Sequence, residues 1–207
     1  NGTGVRRDPK YTGRRRTRTR RGSRRDRAQL FCALDLPLCQ GSMTHEIVVL
    51  VDNTDQETGT ADKLEAHRQG LLHRAISVFI FNRRGQMLLQ RRAEGKYHSG
   101  GLWSNTCCSH PRPGEIPVDA ARRRLTEEMG MVCHLEHAHT FIYRAELDGG
   151  LTEHELDHVF VGWTDDDPQP NPSEVSGWRW EEPTDLRAEL QEYPERFTAW
   201  FPLALAG

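Results

Sequence analysis

His67, His73, His110, Glu153 and Glu155 are the residues of this chain best suited to grip a metal ion. Imidazole nitrogens mixed with carboxylate oxygens suit a borderline divalent ion such as zinc, manganese or iron, and five protein donors favour six-coordinate geometry over a closed zinc tetrahedron. A single histidine is more often a packing or surface residue, so the set as a whole, not any one member, points to a metal. In Trp103-Ser104-Asn105-Thr106-Cys107-Cys108-Ser109-His110-Pro111 a thiol and an imidazole stand two residues apart, and in extended backbone Cys108 and His110 share a side. A nearby cation lowers a thiol pKa and helps hold the thiolate, the form that can take a proton from carbon. Cys107 reads as filler of a small apolar space. In Glu153-His154-Glu155, strand alternation turns both carboxylates to one face and His154 to the other. Paired carboxylates raise one another's proton affinity while a metal lowers it, a balance suited to acid/base work.

These residues are distant in sequence, so a compact fold has to gather them. Ile47-Val48-Val49-Leu50-Val51 reads as a first strand followed by a polar turn at residues 52–55. Residues 75–81 and 86–90 flank Asn82-Arg83-Arg84-Gly85, which is hairpin chemistry. After a Gly/Pro-rich stretch, Val118, Ala121, Leu125 and Met129 recur at spacings of three and four, which predicts a helix over 118–129 stopped at Gly130. Strands are expected at 138–147, 155–163 and 176–181, with a helical region from Pro183 to the end.

The chain has 207 residues, 36% of them hydrophobic, enough for one well-buried domain. No apolar run approaches the roughly 18 residues of a membrane span, so no membrane association is expected. The five cysteines lack the spacing of a zinc ribbon or a disulfide framework and fit reduced thiols in a cytoplasm. Residues 1–42 hold 12 basic and 3 acidic residues, leaving 16 basic and 27 acidic in the rest, a balance of −11. The first segment is expected to be a disordered basic extension and residues 43–207 a single catalytic domain. An RNA-binding arm is a rival reading of that extension, but the acidic body gives no reason to expect a nucleic-acid partner.

Cys108 to His110, Glu153-His154-Glu155, His67, His73 and the helix ending Glu127-Glu128-Met129-Gly130 together resemble the motif set of type 1 isopentenyl-diphosphate isomerases, over about residues 46–182. The helix also resembles the Nudix box, with Glu115, Arg123, Glu127 and Glu128 in place. Ser109 stands where Gly is usual and Arg124 where Glu is usual, departures that favour the isomerases over hydrolases of similar fold. The resemblance implies an α+β, sandwich-like Nudix-type fold, a mixed sheet flanked by helices. It implies that His67, His73, His110, Glu153 and Glu155 hold one ion, Mn2+ or Zn2+, and that Glu128 helps bind a Mg2+ bridging to the diphosphate. Glu155, hydrogen-bonded to Tyr143, is then an acid/base group opposite Cys108. Lys63, Lys96, Arg124 and Arg91 or Arg92 fall at phosphate-contacting positions, where guanidinium forks suit phosphate oxygens. Trp180 faces the substrate in this reading and Trp103 lines the pocket floor, although packing alone makes Trp180 an inward-facing core residue. The implied activity is interconversion of isopentenyl and dimethylallyl diphosphate for isoprenoid biosynthesis, by a monomer acting on a small prenyl diphosphate. A Nudix hydrolase of nucleoside diphosphate derivatives is the main rival; it leaves Cys108 and the histidines unexplained.

Overall fold

Asp52 closes the first turn of the fold: its carboxylate accepts the backbone N–H groups of Thr54 (2.8 Å) and Gln56 (3.1 Å). The turn joins β1 (Ile47–Val51) to the antiparallel β2 (Glu57–Asp62). Asp62 then caps α1 (Lys63–Gln69) by accepting from the N–H groups of Leu64 and Glu65, and Gly70, in left-handed backbone, ends it. The structure is a computed structural model that describes residues 46–206. The basic segment expected at residues 1–42 lies outside the described residues.

Strand β3 (His73–Phe81) organises the rest. It runs parallel to β8 (Thr152–Trp163) along its whole length and antiparallel to β6 (Cys107–Ser109) on its other side. It also touches β1 at Leu50 and β4 (Met87–Arg92) at Phe81. β4 pairs with β5 (Trp103–Ser104) and β9 (Val175–Glu181), and β7 (Leu135–Glu146) forms a long antiparallel pair with β8, giving a mixed sheet of nine strands among the described residues. Covered on both faces, β3 reads as a nearly unbroken apolar run. Ile76, Val78 and Ile80 pack with Leu125 and Met129 of α2 (Pro117–Met129). On the opposite face Phe79, Val159 and Tyr143 pack with Leu186 of α3 (Pro183–Glu192) and with Trp200, Phe201 and Ala204 in and beside α4 (Phe201–Leu205). The sheet is thus sandwiched between α2 and the C-terminal helices, the α+β arrangement expected. Among the described residues no helix is long and apolar enough to cross a membrane.

The helix expected at 118–129 begins one residue earlier, at Pro117, where the missing N–H of proline is harmless. Residues 57–69 were not expected to be regular, yet they form β2 and α1. Their local sequence is polar, and neighbours decide their state: backbone pairing to β1 holds β2, and Asp62 nucleates α1.

Gly130 ends α2 at φ 65°, and a Cβ there would lie 2.5 Å from the carbonyl oxygen of Gln169. Gly130→Ala is therefore expected to destabilise the fold by at least about 1–2 kcal/mol, the cost of left-handed backbone before any overlap is counted. Equilibrium urea unfolding would show it as a lower midpoint with an unchanged slope, and a midpoint equal to the parent's would refute it.

Candidate active site

Four elements deliver the five candidate ligands. α1 contributes His67, the start of β3 contributes His73, the residue after β6 is His110, and β8 contributes Glu153 and Glu155. The parallel register sets His73 directly beside Glu155. All five side chains are buried, and one ligand atom from each lies within 4.8 Å of every other.

The hydrogen bonds behind the cluster define what its centre can hold. His67 Nδ1 faces the carbonyl of Lys63 at 2.6 Å and His73 Nδ1 that of Leu71 at 2.8 Å. Carbonyls only accept, so Nδ1 carries the hydrogen in both rings, and in the neutral rings Nε2 turns its lone pair inward. There the Nε2 atoms of His73 and His110 stand 3.2 Å apart. Glu155 Oε1 lies 2.8 Å from His110 Nε2 and 3.5 Å from His73 Nε2, while Glu153 Oε2 lies 2.9 Å from His67 Nε2. His110 Nδ1 and Glu153 Oε2 are buried without a hydrogen-bond partner. Acceptors facing acceptors in a buried pocket repel unless protons or a cation lie among them, so the donor set fits a divalent ion. Burial pushes Glu155 up, but where His110 and His73 are protonated their hydrogen bonds and charge outweigh this and hold it well below the usual carboxylate range. Glu153 is raised to about 7, by burial first and by the Glu155 charge second.

Between Glu153 and Glu155, His154 points away and its Nδ1 meets the carbonyl of Gly70 at 2.9 Å, tying β8 to the end of α1. Tyr143, opposite Glu155 on β7, donates its hydroxyl to Glu155 Oε2 at 2.6 Å. Cys108 pairs across from Ser77 on the other edge of β3. Cys108, Tyr143, Glu153, Glu155 and His110 all line one cavity, with Lys63, Arg92, Lys96, Arg124 and Trp200 around it. Burial first, then Glu128 and Glu155 against Arg92, push the Cys108 thiol up to about 12. Without an added positive charge the proton therefore stays on Cys108; the thiolate expected from sequence is the form expected beside a bound cation.

Three expected residues stand elsewhere. Arg91 is half-exposed and binds the Gly101 carbonyl (2.9 Å), whereas its neighbour Arg92 is buried with NH1 3.9 Å from Cys108 Sγ. Trp180 packs into the α2 side of the sheet and donates Nε1–H to Asp167 at 3.2 Å. Trp103 lies under the Arg179 guanidinium, 4.4 Å from its ring centroid, away from the cavity lining. The tryptophan at the cavity is Trp200, buried beside Arg92, whose guanidinium carbon lies 5.3 Å from its ring. Sequence reasoning missed it because residues past 183 read only as a helical region. It also missed His98, a buried imidazole beside Glu153.

Three of the four cavity cations are already paired with carboxylates. Lys63 pairs with Glu46 (2.9 Å), Lys96 with Glu174, and Arg124 NH2 lies 2.5 Å from Glu128 Oε1. Glu115 is engaged by Arg123 (2.7 Å) and Glu127 by Arg124 (2.8 Å).

The comparisons with known proteins agree with this architecture. Residues 71–201 match the NUDIX domain model, so this is a NUDIX-domain protein. Among relatives, the isopentenyl-diphosphate Delta-isomerase of Pectobacterium atrosepticum is 58% identical over 159 residues, covering 77% of this chain and 89% of that protein. The isopentenyl-diphosphate Delta-isomerase 2 of Aromatoleum aromaticum is 53% identical over 158 residues, covering 76% and 84%. This chain belongs to the isopentenyl-diphosphate Delta-isomerase family. Among solved structures, DR0079 from Deinococcus radiodurans superposes with a TM-score of 0.63 at 19% identity, covering 78% of this chain and 98% of that one, a likeness of fold.

Asp157 continues the line of carboxylates along β8. Burial pushes its carboxyl well above the ordinary value, the Glu155 charge adds to this, and the Ser77 hydroxyl at 2.7 Å opposes it; Oδ1 has no partner. A raised folded pKa means that the native state keeps a proton the unfolded chain releases above pH 3.8. The contribution of this group to stability is thus full below that pH and declines as pH rises toward the folded pKa. Asp157→Asn keeps a partner for Ser77 and removes the titration. Its urea midpoint relative to the parent's is expected to rise from acid pH to pH 8, and a difference that does not vary with pH would contradict the assignment.

Proposed function

We propose that this chain interconverts isopentenyl and dimethylallyl diphosphate by adding a proton at one carbon and removing one from another, with Glu155 and Cys108 as the two acid/base groups. The observation that carries the reading is that both line a single cavity, on strands at either side of β3, beside the ligand cluster. In the forward direction the Tyr143-supported Glu155 carboxyl delivers a proton to the terminal methylene carbon, leaving a tertiary cation, and Cys108 sulfur takes a proton from the adjacent methylene as the new double bond forms. In the reverse direction the two exchange roles; a forward turnover leaves Glu155 as the carboxylate and Cys108 as the thiol, and one proton passed from the sulfur to solvent and one taken up by Glu155 restore the starting state.

His67, His73, His110, Glu153 and Glu155 would hold one divalent ion, Mn2+ or Zn2+, and Glu128 would help hold a Mg2+ whose charge would meet that of the diphosphate. The positive charge supplied there would offset the carboxylates that keep the Cys108 thiol high and would make a protonated Glu155 a stronger acid. Lys63, Arg92, Lys96 and Arg124 bind the diphosphate, exchanging their present carboxylate partners for phosphate oxygens. Trp200 sets its ring toward the hydrocarbon, where a cation gains about 2 kcal/mol or more from an aromatic face when desolvated. The buried wall excludes water, which would otherwise trap the cation as a tertiary alcohol. Hydrolysis fits less well, since Glu115 and Glu127 are engaged by arginines and Arg124 takes a place usual for a glutamate. Within this reading residues 43–207 form the catalytic domain, and a cytoplasmic monomer suffices for the chemistry.

The direct test incubates the protein with Mg2+ and isopentenyl diphosphate and follows the dimethylallyl isomer by NMR; phosphate release without isomerisation would replace this reading with hydrolysis. Cys108→Ala and Glu155→Gln are each expected to lower kcat by roughly 10²–10⁴-fold or more, the usual worth of a positioned acid or base. Near-parental turnover by either, with an intact circular dichroism spectrum, would remove that residue from the mechanism.

A further inference from the structure

We infer that His98 is a positioning residue for the metal centre: it holds one oxygen of Glu153, so that the carboxylate turns its other oxygen, beside His67, toward the ion. This inference rests on the ion-binding isomerase reading and deepens it.

His98 lies on the loop between β4 and β5, away from the motifs singled out in sequence, and its side chain is only 5% exposed. Its Nε2 lies 3.3 Å from Glu153 Oε1, while Glu153 Oε2 lies 2.9 Å from His67 Nε2. The two oxygens of one carboxylate are thereby divided between an outer partner and the cage. His98 Nδ1 has the Ser99 hydroxyl at 3.2 Å. In the tautomer with the hydrogen on Nε2, that hydrogen is available to an ionised Glu153 and the Ser99 hydroxyl donates to Nδ1. This is the arrangement by which outer partners orient metal-binding side chains, here with the imidazole outside and the carboxylate inside.

The ring is fixed independently of that bond. Tyr97 meets it edge-on at 4.3 Å between centroids, and Trp200 does so at 5.8 Å. Ser99 sits at φ 51°, a sparsely populated conformation for a non-glycine residue, retained where surroundings enforce it. The next residue, Gly100, lets the loop close on itself, for a Cβ there would come 2.7 Å from the Glu94 carbonyl oxygen. The backbone carbonyl of His98 also accepts from Arg92 NH2 at 3.3 Å. One residue therefore touches the cage through its imidazole, the hydrocarbon wall through its ring edge and a diphosphate-binding guanidinium through its backbone.

The test titrates Mn2+ into metal-stripped full-length protein by calorimetry and measures kcat and KM separately. His98→Phe keeps a ring between Tyr97 and Trp200 but removes the donor, and is expected to weaken Mn2+ binding by about 10–100-fold. Its kcat should fall while KM for isopentenyl diphosphate moves little, because the contact to Arg92 uses the backbone. His98→Gln, whose amide can return a donor near the Nε2 position, should recover most of the affinity. Should His98→Phe fail to fold, Ser99→Ala, which removes only the hydroxyl facing Nδ1, is expected to weaken Mn2+ binding in the same direction. Parental affinity in His98→Phe, or in Ser99→Ala where that variant decides, would overturn the inference while leaving the isomerase reading intact. A parent protein that neither binds Mn2+ nor isomerises would overturn the reading itself.

Discussion

Three imidazole nitrogens and two carboxylates aimed at one another inside a buried pocket form the constraint on which the rest of this structure depends. Such a set is costly without compensating charge, because each group has left water and its neighbours are also acceptors. Two backbone carbonyls make the arrangement hard to escape by rotating a ring, since they fix the outward nitrogens of His67 and His73. The parallel pairing of β3 with β8 adds the other half of the rigidity by placing His73 beside Glu155. A divalent ion turns this frustrated centre into a bonded one, and the scaffold around it resists collapse.

The surrounding charges follow the same logic on a larger scale. The folded part is acidic, yet the cavity wall gathers Lys63, Arg92, Lys96 and Arg124. Each lysine and Arg124 leans on a carboxylate, so the wall is close to neutral as it stands. In the proposed function an incoming diphosphate competes with Glu46, Glu174 and Glu128 for these cations. The competition favours a ligand that carries several negative charges and can bring a cation of its own to satisfy Glu128.

Much of this was legible in sequence, and the gaps have physical reasons. Apolar runs disclosed β1, β3 and β4, and the three-four spacing of Val118, Ala121, Leu125 and Met129 disclosed α2. The ligand set was read from residue types and motif likeness, and the structure gathers all five members. β2 and α1 escaped because pairing and a cap, not hydrophobic period, determine them. Arg91 could not be told from Arg92 by composition, as only their contacts in the fold, the Gly101 carbonyl for one and Cys108 for the other, separate their roles. Trp180 was drawn toward the substrate by likeness, although packing alone made it an inward-facing core residue, and in the fold it packs on the α2 side. Trp200 and His98 belong to a terminal segment and a loop whose sequence carries no periodic signal, so only the folded chain brings them to the cavity.

His154 gives the triplet Glu153-His154-Glu155 a second duty. While its neighbours turn inward, its imidazole latches onto the carbonyl that closes α1, the helix on which His67 rides. A single tripeptide thus supplies two of the cage walls and bolts down the hinge of a third. Because alternation along the strand separates these jobs by one residue, insertion or deletion within the triplet would both swap inner for outer groups and release the neighbouring helix. The spacing is consequently under a mechanical restriction as well as a chemical one.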